Sequence, residues 1–145
     1  METAPTPGPV NKESLTQAVG IGQATILLVD DEAFLRGAIS KMLQENGLSV
    51  IEARDGFLAL DVIRSHKDSI DLLLLDITLP GASSREVYEE AKRLKPDLPV
   101  IVVTAKSEAV AAASLGTGID HFLRKPFSLS DLIGMIRQIL PPRTH

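Results

Sequence analysis

Two hydrophobic patterns alternate along the chain. Ile26-Leu27-Leu28-Val29, Leu72-Leu73-Leu74-Leu75 and Val100-Ile101-Val102-Val103 are apolar without interruption. Such runs cannot alternate between water and core, so both faces are covered, as in a parallel sheet between two helical layers. Shorter strands are predicted over residues 48–53, around Val50 and Ile51, and over residues 119–123. Between these runs apolar residues recur at helical spacing: Phe34, Leu35, Ala38, Ile39, Met42 and Leu43, then Phe57, Leu58, Leu60, Val62 and Ile63, then Val87, Tyr88, Ala91 and Leu94. The alanine-rich segment 107–115 and the series Leu129, Leu132, Ile133, Ile136, Ile139 and Leu140 complete the set.

The punctuation agrees with this division. Gly47 follows the first helix as a stop, Asp55-Gly56 turns into the second, and Ser83 or Ser84 can cap the third, which Lys95-Pro96 ends. Ser128-Leu-Ser-Asp131 resembles a capping box, and Pro141-Pro142 forbids continuation of the last helix. Five strands alternating with five helices predict a doubly wound α/β domain over residues 24–140, with no internal repeat. Residues 1–23 carry Pro5, Pro7, Pro9, Gly8, Gly20 and Gly22 among polar residues and are expected to form a flexible tail or interdomain linker. Residues 141–145 form a short C-terminal tail.

Composition narrows the function. A chain of 145 residues, 44% hydrophobic and with net charge -4, suits one soluble domain and has no basic stripe, which argues against direct nucleic-acid binding. The absence of cysteine excludes disulfides and thiolate metal sites and fits a cytoplasmic location. No apolar stretch reaches the roughly 20 residues that span a bilayer.

Candidate chemistry lies at the strand ends. Asp30 and Asp31 follow the first apolar run, Asp76 ends the central one, Thr104 ends the fourth and Lys125 the fifth. In an open α/β sheet these ends lie along one edge, where ligands bind. Three carboxylates gathered there repel one another, and the cluster makes sense with a cation to neutralise it. All-oxygen ligation points to Mg2+ rather than zinc. Asp30, Asp31 and Glu32 taken alone also suit the start of a helix.

The set Ile26-Leu-Leu-Val-Asp-Asp-Glu32, Leu72-Leu-Leu-Leu-Asp76 with Pro80-Gly81, Val102-Val-Thr-Ala105 and Lys125-Pro126-Phe127 resembles the receiver domain of two-component response regulators, in the right order from about residue 24 to residue 140. The resemblance implies a flavodoxin-like three-layer sandwich with a five-stranded parallel sheet in the order 2-1-3-4-5. It implies that Asp76 accepts a phosphoryl group, with Mg2+, from a phosphohistidine donor, either a histidine kinase or a histidine phosphotransfer protein. It assigns Asp31 as a direct metal ligand, Asp30 as a holder of metal-bound water or a further ligand, and the backbone carbonyl of Thr78 as another ligand. Thr104 becomes the switch hydroxyl, Phe122 the switch aromatic, and Lys125 the ion-pairing base. A phosphorylation-dependent homodimer through the fourth helix, fifth strand and fifth helix is a further implication.

The chain departs from the family at Ser84, where glycine is common, and at Leu79, where methionine is common; Thr78 and Lys106 are expected to flank the phosphoryl group. Two rival readings stay open. One is a receiver-like scaffold that binds without phosphorylation. The other is a haloacid-dehalogenase-type phosphotransferase, which needs a second aspartate where Thr78 stands. A dinucleotide-binding unit lacks its G-x-G-x-x-G, and His66, His121 and His145 are scattered. The linker-like start favours the C-terminal receiver of a hybrid histidine kinase over a stand-alone regulator.

Overall fold

The computed structural model describes residues 24–78 and 82–140; the predicted tails 1–23 and 141–145, with Leu79, Pro80 and Gly81, lie outside the described residues. In chain order the elements are β1 (Thr25–Val29), α1 (Ala33–Glu45), β2 (Ser49–Ala53), α2 (Gly56–His66), a single 3-10 turn (Lys67–Ser69), β3 (Leu72–Asp76), α3 (Ser84–Leu94), β4 (Val100–Thr104), α4 (Glu108–Leu115), β5 (His121–Arg124) and α5 (Leu129–Ile139). The five strands are parallel in the order β2-β1-β3-β4-β5, so the predicted flavodoxin-like α/β topology holds.

The unbroken apolar runs form the middle of that sheet. Leu73 and Leu75 of β3 face a layer that holds Ala59 and Ile63 of α2, Val87 and Ala91 of α3, and Ala111 and Leu115 of α4. Leu72 and Leu74 face the other layer, which holds Ile39 and Leu43 of α1 and Leu132, Ile133 and Ile136 of α5. Burial of each leucine side chain contributes about 2 kcal/mol of transfer free energy, so alternate leucines of one strand fasten both helical layers to the sheet. A charged residue at position 73 or 74 would break one layer.

Helix boundaries follow local chemistry. Ser83 caps α3 in a complete capping box with Glu86, while Asp55, Ser107 and Ser128 accept from backbone amides in the first turns of α2, α4 and α5. Gly47, at φ 84°, ends α1, and Gly116, at φ 73°, ends α4, positions where a side chain would be strained. β5 begins two residues later than the predicted strand 119–123 and extends to Arg124, because pairing with β4 aligns Ile101 with His121 and Thr104 with Arg124.

Two aromatic residues counted with the helical stripes are not in the core. Phe34 is 93% exposed and Phe57 is 67% exposed. At 100° per residue the inner line of α1 runs through Leu35, Ile39 and Leu43, and that of α2 through Ala59 and Ile63, which leaves each phenylalanine off its stripe. On the surface between α2 and α3, Glu90 accepts from Arg64 at 2.9 Å and from Arg93 at 2.9 and 3.0 Å. Among the described residues no helix is long and apolar enough to cross a membrane.

Candidate functional site

The parallel topology brings the carboxyl ends of β1, β3, β4 and β5 to one rim. Asp76 is the last residue of β3 and only 2% exposed, and Asp30 follows β1 at 3%. The backbone amide and the hydroxyl of Thr78 both donate to Asp76 Oδ1, each at 2.9 Å, and Lys125 Nζ donates to Oδ2 at 3.1 Å. Both oxygens of one buried carboxylate are thus aimed by fixed donors. Lys125 is itself placed by the sheet, since its backbone amide donates to the Thr104 carbonyl at 2.8 Å.

One ammonium serves three carboxylates. Lys125 Nζ lies 2.8 Å from Glu32, 3.1 Å from Asp76 and 3.6 Å from Asp30. Burial pulls the Lys125 ammonium down, but the hydrogen bonds to Glu32 and Asp76 and the charges of Asp76 and Asp30 outweigh it and raise its pKa overall. Asp30 also moves upward. Burial is the main cause, reinforced by the charges of Asp76 and Glu32, and the Glu32 amide and Lys125 oppose it only in part.

Single oxygens of Asp30, Glu32 and Asp76 lie within 4.8 Å of one another, and excess negative charge with all-oxygen donors fits a hard divalent cation. Asp31 is exposed and is not in this group. Glu32 stands in extended backbone just before α1, and its side chain reaches the rim, where it meets Lys125 at 2.8 Å. Asp30 Oδ1 reinforces this geometry by accepting from the Glu32 amide at 2.8 Å.

Of the remaining expected residues, Thr104 is buried, and its hydroxyl accepts from the Lys106 amide at 3.2 Å. Phe122 is half-buried and packs against the apolar layer of α2, α3 and α4. Sequence reasoning missed two contributors. Glu32 was read only as part of an acidic helix start, yet its side chain makes no cap and reaches Lys125 instead. Ser84, noted as a departure and as an alternative to Ser83 for the helix cap, is not the cap and donates its hydroxyl to the backbone carbonyl of Asp76 at 3.0 Å. The acid run was a visible signal for Glu32, whereas nothing local marked Ser84 as a partner of Asp76.

Comparison with known proteins agrees with this geometry. Residues 26–137 match the family described as the response regulator receiver domain. Response regulator MprA of Mycobacterium avium is 40% identical over 116 residues, which is 79% of this chain and 50% of the relative; the chain thus spans about half the length of the curated relatives it matches. Among solved structures, response regulator TrrA from Thermotoga maritima, in complex with Mg(2+)-BeF, is 33% identical with TM-score 0.71, over 81% of this chain and 100% of that one. A CheY-like receiver domain protein from Methanospirillum hungatei is 28% identical with TM-score 0.74, over 82% of this chain and 94% of that one.

Proposed function

The chain belongs to the response regulator receiver domain family, the phosphoacceptor modules of two-component signalling, and from that premise we propose that Asp76 is the residue phosphorylated. The observation that carries this is the buried Asp76 carboxylate, held on one oxygen by Thr78 and on the other by Lys125. An Asp76 oxygen attacks phosphorus in line; its O–P bond forms as the bond to the donor breaks, and the donor departs with that electron pair. From a histidine kinase or histidine phosphotransfer protein the leaving atom is an imidazole nitrogen, and from acetyl phosphate it is an acetate oxygen.

Lys125 follows the developing charge, since its ammonium already touches Asp76 Oδ2. The Thr78 amide and hydroxyl hold Oδ1 during the approach, which keeps the carboxylate from rotating. Asp30, Glu32 and Asp76 are suited to hold Mg2+, with Asp31 and the Thr78 carbonyl as the further ligands that the family resemblance assigns. An ion held by these residues would supply positive charge that offsets the carboxylates against an incoming phosphoryl group.

The product is a doubly charged tetrahedral group where a planar carboxylate stood, and Thr104 is the hydroxyl we assign to it. Movement of Thr104 lets Phe122 turn inward and alters the surface of α4, β5 and α5, through which a phosphorylated homodimer forms. The match to half the length of response regulator MprA favours a response regulator as parent over a hybrid kinase. A haloacid-dehalogenase-type reaction is disfavoured, because the position of its general acid holds Thr78, whose hydroxyl donates to Asp76.

Incubation with acetyl phosphate and Mg2+, read by intact mass, tests the assignment. One phosphoryl adduct is expected on the native chain and none on Asp76→Asn. Equal adducts on both would remove Asp76 from the role, and no adduct on either, even with a panel of histidine kinases, would favour a phosphorylation-independent scaffold.

A further inference from the structure

The connection between β3 and α3 begins at a strand end that the sheet does not fully hold. The last β1 partner of β3 is Val29, opposite Leu75, so Asp76 lies one residue beyond the β1 pairing. Its backbone carbonyl instead accepts from the hydroxyl of Ser84, the first residue of α3, at 3.0 Å. Ser84 is only 6% exposed, so water does not readily replace that donor.

Residues 82–84 are in turn fixed from two other directions. A Cβ built on Gly56 would stand 1.9 Å from the Ala82 carbonyl oxygen, so the first turn of α2 lies directly against the end of this connection. Ser83 holds the start of α3 through the capping box with Glu86. Ser84 therefore ties Asp76 to a platform braced by two helices, which are themselves packed on the sheet.

We propose that Ser84 is a positioning residue for phosphoryl transfer: its hydroxyl fixes the backbone from which the Asp76 carboxylate projects toward Lys125 and the incoming phosphorus. This rests on the reading of Asp76 as phosphoacceptor. The physical link is short. A fixed carbonyl at residue 76 limits rotation of the peptide that follows, and that peptide leads to Thr78, whose amide and hydroxyl aim Oδ1. Without the hydroxyl, Asp76 and Thr78 can drift relative to each other, and a misplacement of about 1 Å can slow a positioned reaction on the order of 100-fold.

The test compares the rate of Asp76 phosphorylation by acetyl phosphate at saturating Mg2+ in the native chain, Ser84→Ala, Ser84→Gly and Ser84→Thr, with urea midpoints measured alongside. The two variants without a hydroxyl are expected to react about tenfold more slowly while still folded, and Ser84→Thr to recover to within about threefold of native. Native rates in folded Ser84→Ala or Ser84→Gly, even with a lowered urea midpoint, would overturn the proposal and leave the hydroxyl a purely structural partner. Equal slowing in Ser84→Thr would also overturn it, by assigning the effect to packing. Absence of any adduct on native Asp76 is a different result, which removes the phosphoacceptor reading and this inference with it.

Discussion

At the strand-end rim one ammonium, Lys125, faces three carboxylates, whereas between α2 and α3 one carboxylate, Glu90, faces two guanidinium groups. The ingredients are the same and the outcomes opposite. Glu90 is held at about 2, well below its ordinary value, by hydrogen bonds from Arg93 and Arg64. Asp30 is pushed up, because burial and two like charges outweigh its share of Lys125. The helix surface is electrostatically satisfied and contributes to the fold. The rim carries an excess of negative charge that the fold does not neutralise, which is what a site awaiting a cation and an anionic phosphoryl group requires.

The strongest way to break this contrast is to remove the shared cation. In Lys125→Met the three carboxylates lose the one cation that pairs with them among the described residues, with both aspartates buried. The raised Lys125 pKa means that its stabilisation is fully present at neutral pH and fades only as pH rises through the folded value. The variant is expected to lose about 2 kcal/mol in EDTA by urea denaturation, less than for a fully buried pair because Glu32 is open to solvent. Added MgCl2 should restore more stability to the variant than to the native chain, since the cluster has become more negative. A variant as stable as native in EDTA would show the rim to be as satisfied as the helix surface.

A smaller change with the reverse sign comes from Asp30→Asn. Asparagine keeps an oxygen for the Glu32 amide at the Asp30 position and discards the charge that burial disfavours. A carboxyl group whose folded pKa is raised gives stability below its unfolded value and loses it as pH rises through the folded one, so ionised Asp30 is a cost at neutral pH. Its removal should stabilise the cation-free protein by about 0.5–1 kcal/mol after screening at the rim, and weaken Mg2+ binding in calorimetric titration. Destabilisation without Mg2+ would mean that Lys125 already satisfies Asp30.

How much of this could be read from the chain depends on the range of the forces involved. Both faces of β3 were legible because four consecutive leucines allow no exposed face, and the sheet order then placed Asp30, Asp76, Thr104 and Lys125 on one rim. The positions of Phe34 and Phe57 were not, because helical spacing marks an apolar arc without fixing its edges. The reach of Glu32 to Lys125 was not legible either, because that pairing joins residues 93 apart in the chain. Ser84 lay out of reach too. Its contact with Asp76 spans eight residues and joins the end of β3 to the start of α3, which no local pattern marks.

The mildest test addresses the satisfied cluster itself. Because the folded pKa of Glu90 is lowered, its contribution is present above the ordinary value of 4.5 and is lost as pH falls toward about 2. Asp30 works against this slope, because its raised folded pKa makes the protein gain stability as pH falls through that value toward 3.8. In Glu90→Gln the first contribution disappears while the second remains, so urea midpoints followed from neutral pH to about pH 3 should fall less steeply than in the native chain. Salt should diminish the difference at neutral pH, since both arginines are exposed and their attraction is screened. If the native and variant acid limbs were parallel, the two guanidinium groups would be surface decoration, and the difference between the clusters would reduce to burial alone, with the ratio of charges playing no part.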